Sequence, residues 1–401
     1  MAAEGTQQQV EVSRPELMKA ISFGLEAMDR VYWSPTLAIW LDRPGNDVRA
    51  VFDGKSRPPW WVSANAVELV VDAMNLAGSS ERDASLETLY GLWKDAPARL
   101  LRMAPELKRR GQWSPSDEEA LSRRLARPPG RGGDAAAYYT DYQNEYLDDS
   151  GWWAVAWLKM YDRSGDPKFL RTARTIHAHM AKNWRPDKGG GVLWCEDEDK
   201  QRPNSITNTL FLILSARLYS RTHEDAYLGW AEKTLGWMHE AALYDGTAVV
   251  DGPGHKGDYW SYNQGAFVGG LVALYESTLR RGYLDEAAAV AGTVLHQSGL
   301  VLPTGVFVEK IGTDGDATLF KGIMARYFGQ LVEVLRAAHS HPEVADETER
   351  DLRASAASIL AQGPAPDGLY RAEWQPDGKD QRSNFSTQIS ALIAFLAAAR
   401  L

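Results

Sequence analysis

The chain has 401 residues, 44% apolar and 24% charged, an ordinary globular balance in a polypeptide long enough to bury a core without disulfide or metal staples. Its formal net charge is -9, and no Lys/Arg-rich face extends beyond short runs such as 108–110, which argues against nucleic acid as a partner. The single cysteine, Cys195, excludes an internal disulfide and a cysteine-rich zinc site, and no run approaches the ~18 apolar residues of a membrane span.

Residues 1–14 read as a polar, acidic N-terminal tail that lacks the apolar segment of a signal peptide. As written, the chain is expected in the cytoplasm, or secreted or at the cell surface if the sequence is trimmed. An outer helix is expected over 15–30, an inner helix over 60–76 and an outer helix over 86–93. Residues 95–146, rich in Arg, Pro and Gly, read as an elaborated crossing loop. A repeat then takes over. Stretches beginning at Ser150, Ser205, Ser261, Thr318 and Ser383 each open a helical pattern on a good N-cap type, at spacings of 55, 56, 57 and 65. Second helices are expected between them, over 166–184, 224–243, 283–300 and 346–362.

The two helix types differ in pattern. The first is apolar nearly all round, as in Leu210-Phe211-Leu212-Ile213-Leu214, and a helix without a polar face is buried. The second is amphipathic, with Phe169, Ala173, Ile176 and Met180 on one stripe and Arg171, Arg174 and Lys182 between them. The fold expected is therefore all-α: a single (α/α)6 barrel over 15–401, with six inner and six outer helices. Inner-to-outer turns are short (162–165, 221–223, 280–282), whereas outer-to-inner loops are long (185–204, 244–260, 301–316, 363–382). Four long loops carry Gly followed by apolar residues, such as Gly191-Val192-Leu193-Trp194 and Gly305-Val306-Phe307-Val308, and short strands are expected only there. All long loops then share one end of the barrel with the inner-helix N-termini, whose free N–H groups and positive dipole ends face one cavity. Loops on a rigid scaffold carry sites, so function is expected at that end.

Asp148 and Asp149 stand at the start of the second inner helix. An Asp there also serves as an N-cap, but Ser150 is available for that task. Two adjacent carboxylates at a helix entrance can turn into a cavity from two sides. Glycoside hydrolysis needs such a pair, one ionised and one protonated. Asn204, Asn208, Tyr262, Asn263, Gln264, Lys321, Asn384 and Gln388 lie at the starts of further inner helices, where amide, hydroxyl and ammonium groups suit a ligand with many hydroxyls. Capping is the alternative for each Asn. The chain has 15 Trp and 16 Tyr. Many must be core, but Trp60, Trp61, Trp194, Tyr259, Trp260 and Trp374 fall at the loop-bearing rim, where flat rings stack on sugars. Seven of the eight histidines fall on outer helices or beside short turns, which argues against a histidine mechanism or a metal site. The acidic run 196–199 could bind calcium but reads more simply as a solvated loop. No Gly-rich phosphate loop follows a strand. Neither a metal nor any other cofactor is expected.

Tyr146-Leu-Asp-Asp-Ser-Gly-Trp-Trp-Ala, Gly190-Gly-Val-Leu-Trp, Asn204-Ser-Ile-Thr-Asn, Tyr262-Asn-Gln-Gly and Phe320-Lys-Gly-Ile-Met-Ala-Arg-Tyr together resemble glycoside hydrolase family 76. Trp60-Trp61-Val-Ser-Ala-Asn65 fits the same pattern, and the resemblance runs in order from about Trp60 to the C-terminus. It implies an (α/α)6-barrel endo-α-1,6-mannanase, with fungal cell-wall transglycosylases as relatives. It also implies retention of configuration, Asp148 as nucleophile and Asp149 as general acid/base. The partner it implies is α-mannan or a manno-oligosaccharide. A monomer is expected, with Trp60, Trp61, Asn65, Trp194, Asn204, Asn208, Tyr259, Tyr262, Asn263, Lys321 and Trp374 as the residues that bind it. The chain departs from the pattern at Trp194-Cys195, where the family often has Trp-Lys, and at Arg202-Pro203-Asn204, where it often has Lys-Asn. A mannan transglycosylase and a mannan-binding protein without turnover are the alternatives. A sugar 2-epimerase would need inner-helix histidines, which are lacking here.

Overall fold

The structure is a computed structural model describing residues 12–35, 38–41, 59–94, isolated positions between 105 and 119, 141–257, 259–310, 312 and 315–401. The N-terminal tail before residue 12 and most of the crossing loop expected over 95–146 lie outside the described residues. In chain order the helices are α1 (Arg14–Tyr32), α2 (Trp60–Ala77), α3 (Asp83–Lys94), α4 (Leu147–Ser164), α5 (Pro167–Lys182), α6 (Ser205–Thr222), α7 (Asp225–Glu240), α8 (Ser261–Thr278), α9 (Arg281–Gln297), α10 (Ala317–Ala337), α11 (Pro342–Gln362) and α12 (Phe385–Arg400). Even-numbered helices are inner and odd-numbered ones outer. The inner helices close a ring, each packed on the next, with α12 returning to α2. None of the described helices is long and apolar enough to cross a membrane.

Burial follows the sequence pattern. In α6 every residue from Ser205 to Ala216 is buried, whereas α5 buries only one stripe, Phe169, Thr172, Ala173, Ile176, His177 and Met180. The ring closes tightly because inner helices meet at glycines. A Cβ on Gly265 of α8 would lie 2.5 Å from Met324 Cα, and one on Gly322 of α10 would lie 2.6 Å from Ser390 Cα. Van der Waals contact forbids either approach for a larger residue.

The helix starts are set partly by amides rather than hydroxyls. Asn204 caps α6 by accepting from Thr207 N–H (3.2 Å), and Asn384, not Ser383, caps α12 by accepting from Thr387 N–H (2.9 Å). Ser150 is no cap, because α4 begins at Leu147 and places Ser150 inside its first turn.

Among the described residues the regular strands are β1 (Trp33–Ser34) and β2 (Ile39–Trp40), an antiparallel pair in the long connection after α1. The Gly-apolar segments of the other long loops form only isolated bridges, such as Trp184 with Val192, Tyr244 with Val249 and Val301 with Phe307. An amide one turn into the next inner helix takes the backbone groups that a further strand would use. Asn208 Oδ1 accepts from Val192 N–H (2.7 Å) while its Nδ2 donates to Val192 C=O (2.9 Å). Gln264 does the same at Val249 (2.7 and 2.8 Å). Gln388 accepts from Tyr370 N–H (2.7 Å) and donates to Gly24 C=O (2.7 Å).

Candidate active site

A cavity of about 480 Å³ opens at the long-loop end. It is lined by Trp61, Tyr146, Asp148, Asp149, Trp152, Trp194, Arg202, Asn204, Asp251, Trp260, Tyr262, Asp316 and Phe320. These residues come from the N-terminal ends of α2, α4, α6, α8 and α10 and from the loops that precede them.

The carboxylates of Asp148 and Asp149 occupy the first turn of α4, and neither caps it. The loop ahead of α6 is zipped to this helix start: Leu147 N–H donates to Trp194 C=O (2.9 Å) and Glu196 N–H to Glu145 C=O (2.9 Å). That pairing delivers Trp194 Nε1 to Asp148 Oδ2 at 3.0 Å. The other oxygen, Oδ1, accepts the backbone N–H of Asp149 (3.0 Å). Asp149 Oδ2 accepts from Asn144 Nδ2 (2.7 Å), and the Asn144 carbonyl is held by Tyr146 N–H (3.2 Å).

Burial pushes both carboxyls up, and their hydrogen bonds pull back. Asp148 stands at about 7: desolvation raises it, while Asp149 N–H and the Trp194 indole stabilise its charged form. Asp149 is pushed well above the usual carboxylate range, first by desolvation and then by the charge of Asp148 beside it, with Asn144 opposing. Asp316 adds to the rise in both. The pair therefore holds protons above the ordinary carboxylate range, and Asp148, with two N–H donors against one for Asp149, is the better stabilised as the anion. The dipole of α4 favours the remaining negative charge.

The walls are aromatic. Tyr262 stacks on Phe320 with centroids 3.8 Å apart and planes 8° apart. Trp61 lies 6.1 Å from Phe320 and 6.1 Å from Trp152, and Trp260 lies 5.7 Å from Phe320. Tyr146 and Trp194 form a second pair at 5.2 Å, with the Arg202 guanidinium 5.0 Å over the Trp194 ring. Trp61 Nε1 donates to Asp316 (3.1 Å), and Asn263 Nδ2 to Asp251 (3.1 Å). Flat rings with carboxylate acceptors between them suit a polyhydroxylated ring that presents an apolar face and O–H donors.

Of the residues expected at the binding rim, Trp61, Trp194, Asn204, Trp260 and Tyr262 line the cavity, and the others are engaged outside its lining. Trp60 is 9% exposed and packs on Trp153 and Tyr142. Asn65 is buried below Trp61 and holds Arg326 (2.7 Å). Asn208 staples Val192, as described. Tyr259 ties its hydroxyl to Asp245 (2.6 Å). Asn263 is buried and reaches the cavity only through Asp251. Lys321 is buried with its ammonium on the Ala372 carbonyl and 4.8 Å over the Trp374 ring. Burial holds that ammonium down at about 8, against the charge of Glu309. Trp374, 1% exposed, is the floor of this lysine box and not a cavity ring.

Residues passed over in the sequence include Asn144, Tyr146, Trp152, Asp251, Asp316 and Phe320. Trp152 stands one turn past the aspartates, on their face of α4, so helical periodicity could have flagged it. Phe320 adjoins Lys321, and the cavity takes the ring while the core takes the ammonium. Asp251 and Asp316 carried no signal beyond being acids in long loops. Among the described residues no group of three or more His, Cys, Asp or Glu could hold a metal ion. The acidic run 196–199 is tied locally, Glu196 by the Asn183 amide (2.8 Å) and Asp197 by Lys200 (3.5 Å).

The family model described as Glycosyl hydrolase family 76 matches residues 43–400. Mannan endo-1,6-alpha-mannosidase DCW1 of Candida albicans is 25% identical, across 65% of this chain and 65% of that protein. Its namesake in Saccharomyces cerevisiae is 29% identical across 33% and 34%. The chain spans about three fifths of the length of several of the curated relatives it matches, and less of others. Among solved structures, the alpha-1,6-mannanase GH76A of Salegentibacter sp. HEL1_6 shares the fold. Its inactive variant, with two consecutive aspartates replaced and in complex with alpha-1,6-mannotetrose, has a TM-score of 0.72 at 21% identity, over 96% of this chain and 99% of that one.

Proposed function

The chain belongs to glycosyl hydrolase family 76, and from that premise we propose that it hydrolyses α-1,6-mannosidic linkages of mannan with retention, using Asp148 as nucleophile and Asp149 as general acid/base. The observation that carries the roles is the asymmetry of the pair. Two N–H donors stabilise the Asp148 carboxylate, whereas Asp149 has one amide donor and faces the charge of its neighbour. The first is thus the easier to ionise and the second the better proton reservoir, the division of labour that glycosidases need.

In the first step the Asp148 carboxylate attacks the anomeric carbon while the Asp149 proton passes to the departing glycosidic oxygen. In the second, Asp149 takes a proton from water, the resulting hydroxide attacks the anomeric carbon, and Asp148 leaves. Trp61, Trp152, Trp260, Tyr262 and Phe320 offer ring faces to the sugars, and Asp251, Asp316 and Asn204 offer acceptors to their hydroxyls. The names of the curated relatives support the linkage. The Salegentibacter complex, inactivated by loss of two consecutive aspartates, supports the pair.

The test is incubation with unbranched α-1,6-mannan, with product sizing and the first-formed anomer read by NMR. Shortened α-anomers of α-1,6-manno-oligosaccharides are expected. An inverted first product overturns the mechanism, and intact mannan overturns the substrate. Repeating the incubation with a manno-oligosaccharide acceptor separates the alternatives, because dominant transfer products would assign a transglycosylase instead.

A further inference from the structure

Below the cavity the barrel interior holds a chain of buried charges that the proposed chemistry does not use. Asn65 and Glu68 of α2 are each 1% exposed, and Arg326 of α10 is 4% exposed. Arg326 Nη1 donates to Asn65 Oδ1 (2.7 Å) and to Glu68 (2.8 Å), and its Nη2 donates to the Asn65 carbonyl (3.3 Å). Lys159 of α4 pairs with Glu68 (2.8 Å) and Asp72 (2.7 Å), and Arg400 of α12 closes the chain on Asp72 (2.7 Å). In the ring of inner helices α12 stands between α2 and α10. The Arg326 guanidinium therefore reaches from α10 across the barrel interior to α2, which is not its neighbour in the ring.

Stability alone is a poor account of this arrangement. Desolvating several charges consumes most of what their attraction returns, and apolar residues of similar volume would often serve better. What a guanidinium adds is geometry, since its planar fork fixes two acceptors at once in a way an ammonium cannot. The two helices it clasps carry one wall of the cavity. Asn65, which it grips, donates from Nδ2 to the Trp61 carbonyl one turn nearer the rim (3.2 Å). On α10, Phe320 lies two turns nearer the rim than Arg326, and Asp316 immediately precedes the helix. At the rim the same helices meet again, through Trp61 Nε1 on Asp316 and the Trp61 ring beside Phe320.

We infer that Arg326 is a positioning residue: by fixing α2 against α10 it sets Trp61, Asp316 and Phe320 as one subsite for a sugar ring. The inference rests on the mannan reading above for its ligand, but not for its geometry.

The test compares Arg326→Lys, Asn65→Leu and Arg400→Met with the wild type. Arg326→Lys keeps the charge opposite Glu68 and loses the fork, and Asn65→Leu keeps the ion pair and the backbone acceptor but loses the amide that joins Arg326 to the Trp61 carbonyl. Both are expected to raise KM for α-1,6-mannotetraose about tenfold while kcat changes less than about threefold, the signature of lost binding shared by ground and transition states. The limbs of the pH profile should stay in place, because neither variant touches Asp148 or Asp149. Arg400→Met, at the far end of the same chain of charges, should lower Tm and leave KM within about twofold. Without any sugar, hydrogen exchange followed by mass spectrometry should quicken over residues 59–66 and 315–320 in the first two variants only. If both keep wild-type KM and wild-type exchange while Tm falls, the charges are only structural and the inference is overturned. A fall in kcat at constant KM overturns it as well. If the wild type leaves mannan intact, the substrate reading fails, and the exchange measurement still decides the positioning role.

Discussion

Glu68 and Asp72 in the lower barrel and Asp148 and Asp149 at its mouth are all carboxylates drawn out of bulk water, yet they hold their protons differently. Burial raises all four. In the lower barrel the cations win: Arg326 and Lys159 hold Glu68 below its usual value, and Lys159 and Arg400 hold Asp72 down at about 2. At the mouth the groups that oppose burial are chiefly N–H donors, and Asp148 stands at about 7 while Asp149 is raised well above the usual carboxylate range. A carboxylate with a guanidinium or ammonium against it is a strut, permanently charged. One with neutral donors and a like-charged neighbour sits near the pH of use, where a proton can move.

The largest effect expected from this contrast is on turnover. Asp148→Asn should lower kcat by about 10⁴-fold or more on any α-mannoside, since no glycosyl-enzyme can form. Asp149→Asn should spare substrates whose leaving group needs no proton, and azide should restore part of the activity. Near-normal kcat in Asp148→Asn breaks the contrast at its centre. Swapped phenotypes would keep the pair and exchange the roles.

Binding comes next. Trp61→Ala should weaken α-1,6-mannotetraose binding to a catalytically silent background by about tenfold, read by calorimetry, because it removes a ring and the donor that holds Asp316. Unchanged affinity would mean that this wall does not meet the sugar.

The two levels of the barrel should also answer pH with opposite signs. The Asp72 carboxyl lies below its unfolded value of 3.8, so the stability it contributes is present above that value and is lost as pH falls through about 2. Asp148 lies above 3.8, so its contribution is present below that value and is lost as pH rises through about 7. Asp148→Asn should therefore raise Tm by ~5 °C at pH 8 and hardly at pH 4, whereas Asp72→Asn should lower Tm at pH 7, less so near pH 2. A lower Tm for Asp148→Asn at pH 8 would show that its carboxylate is better satisfied than its surroundings indicate. In kcat/KM the limb set by Asp148 should move to higher pH in Trp194→Phe, which loses a donor to the charged form.

The smallest effect sharpens the contrast by exclusion. Trp374→Phe should leave mannotetraose affinity within about twofold, since that ring is buried under Lys321 rather than open to the cavity. A tenfold loss would return Trp374 to the binding surface.

Much of the architecture was legible along the chain. The all-round apolar pattern of α6 and the single stripe of α5 are local properties, since a helix buried on every side must be apolar on every side. Loop asymmetry placed the mouth, and Asp148 and Asp149 were legible because they begin an inner helix at that end. What the chain alone did not determine was the direction in which each polar group at a helix start points. Asn208, Gln264 and Gln388 stand one turn in and reach back to bind loop backbone, whereas Asn204 at the cap opens into the cavity. Of the neighbours Phe320 and Lys321, the ring went to the ligand face and the ammonium to the core, where the Ala372 carbonyl, the Trp374 face and Glu309 compensate its burial. The loop backbone groups that these side chains bind lie 15 to 51 residues away, and the strut from Arg326 spans 261 to Asn65. Such pairings are set by which helices the closed ring brings across its axis, and periodicity over a few turns carries no record of them.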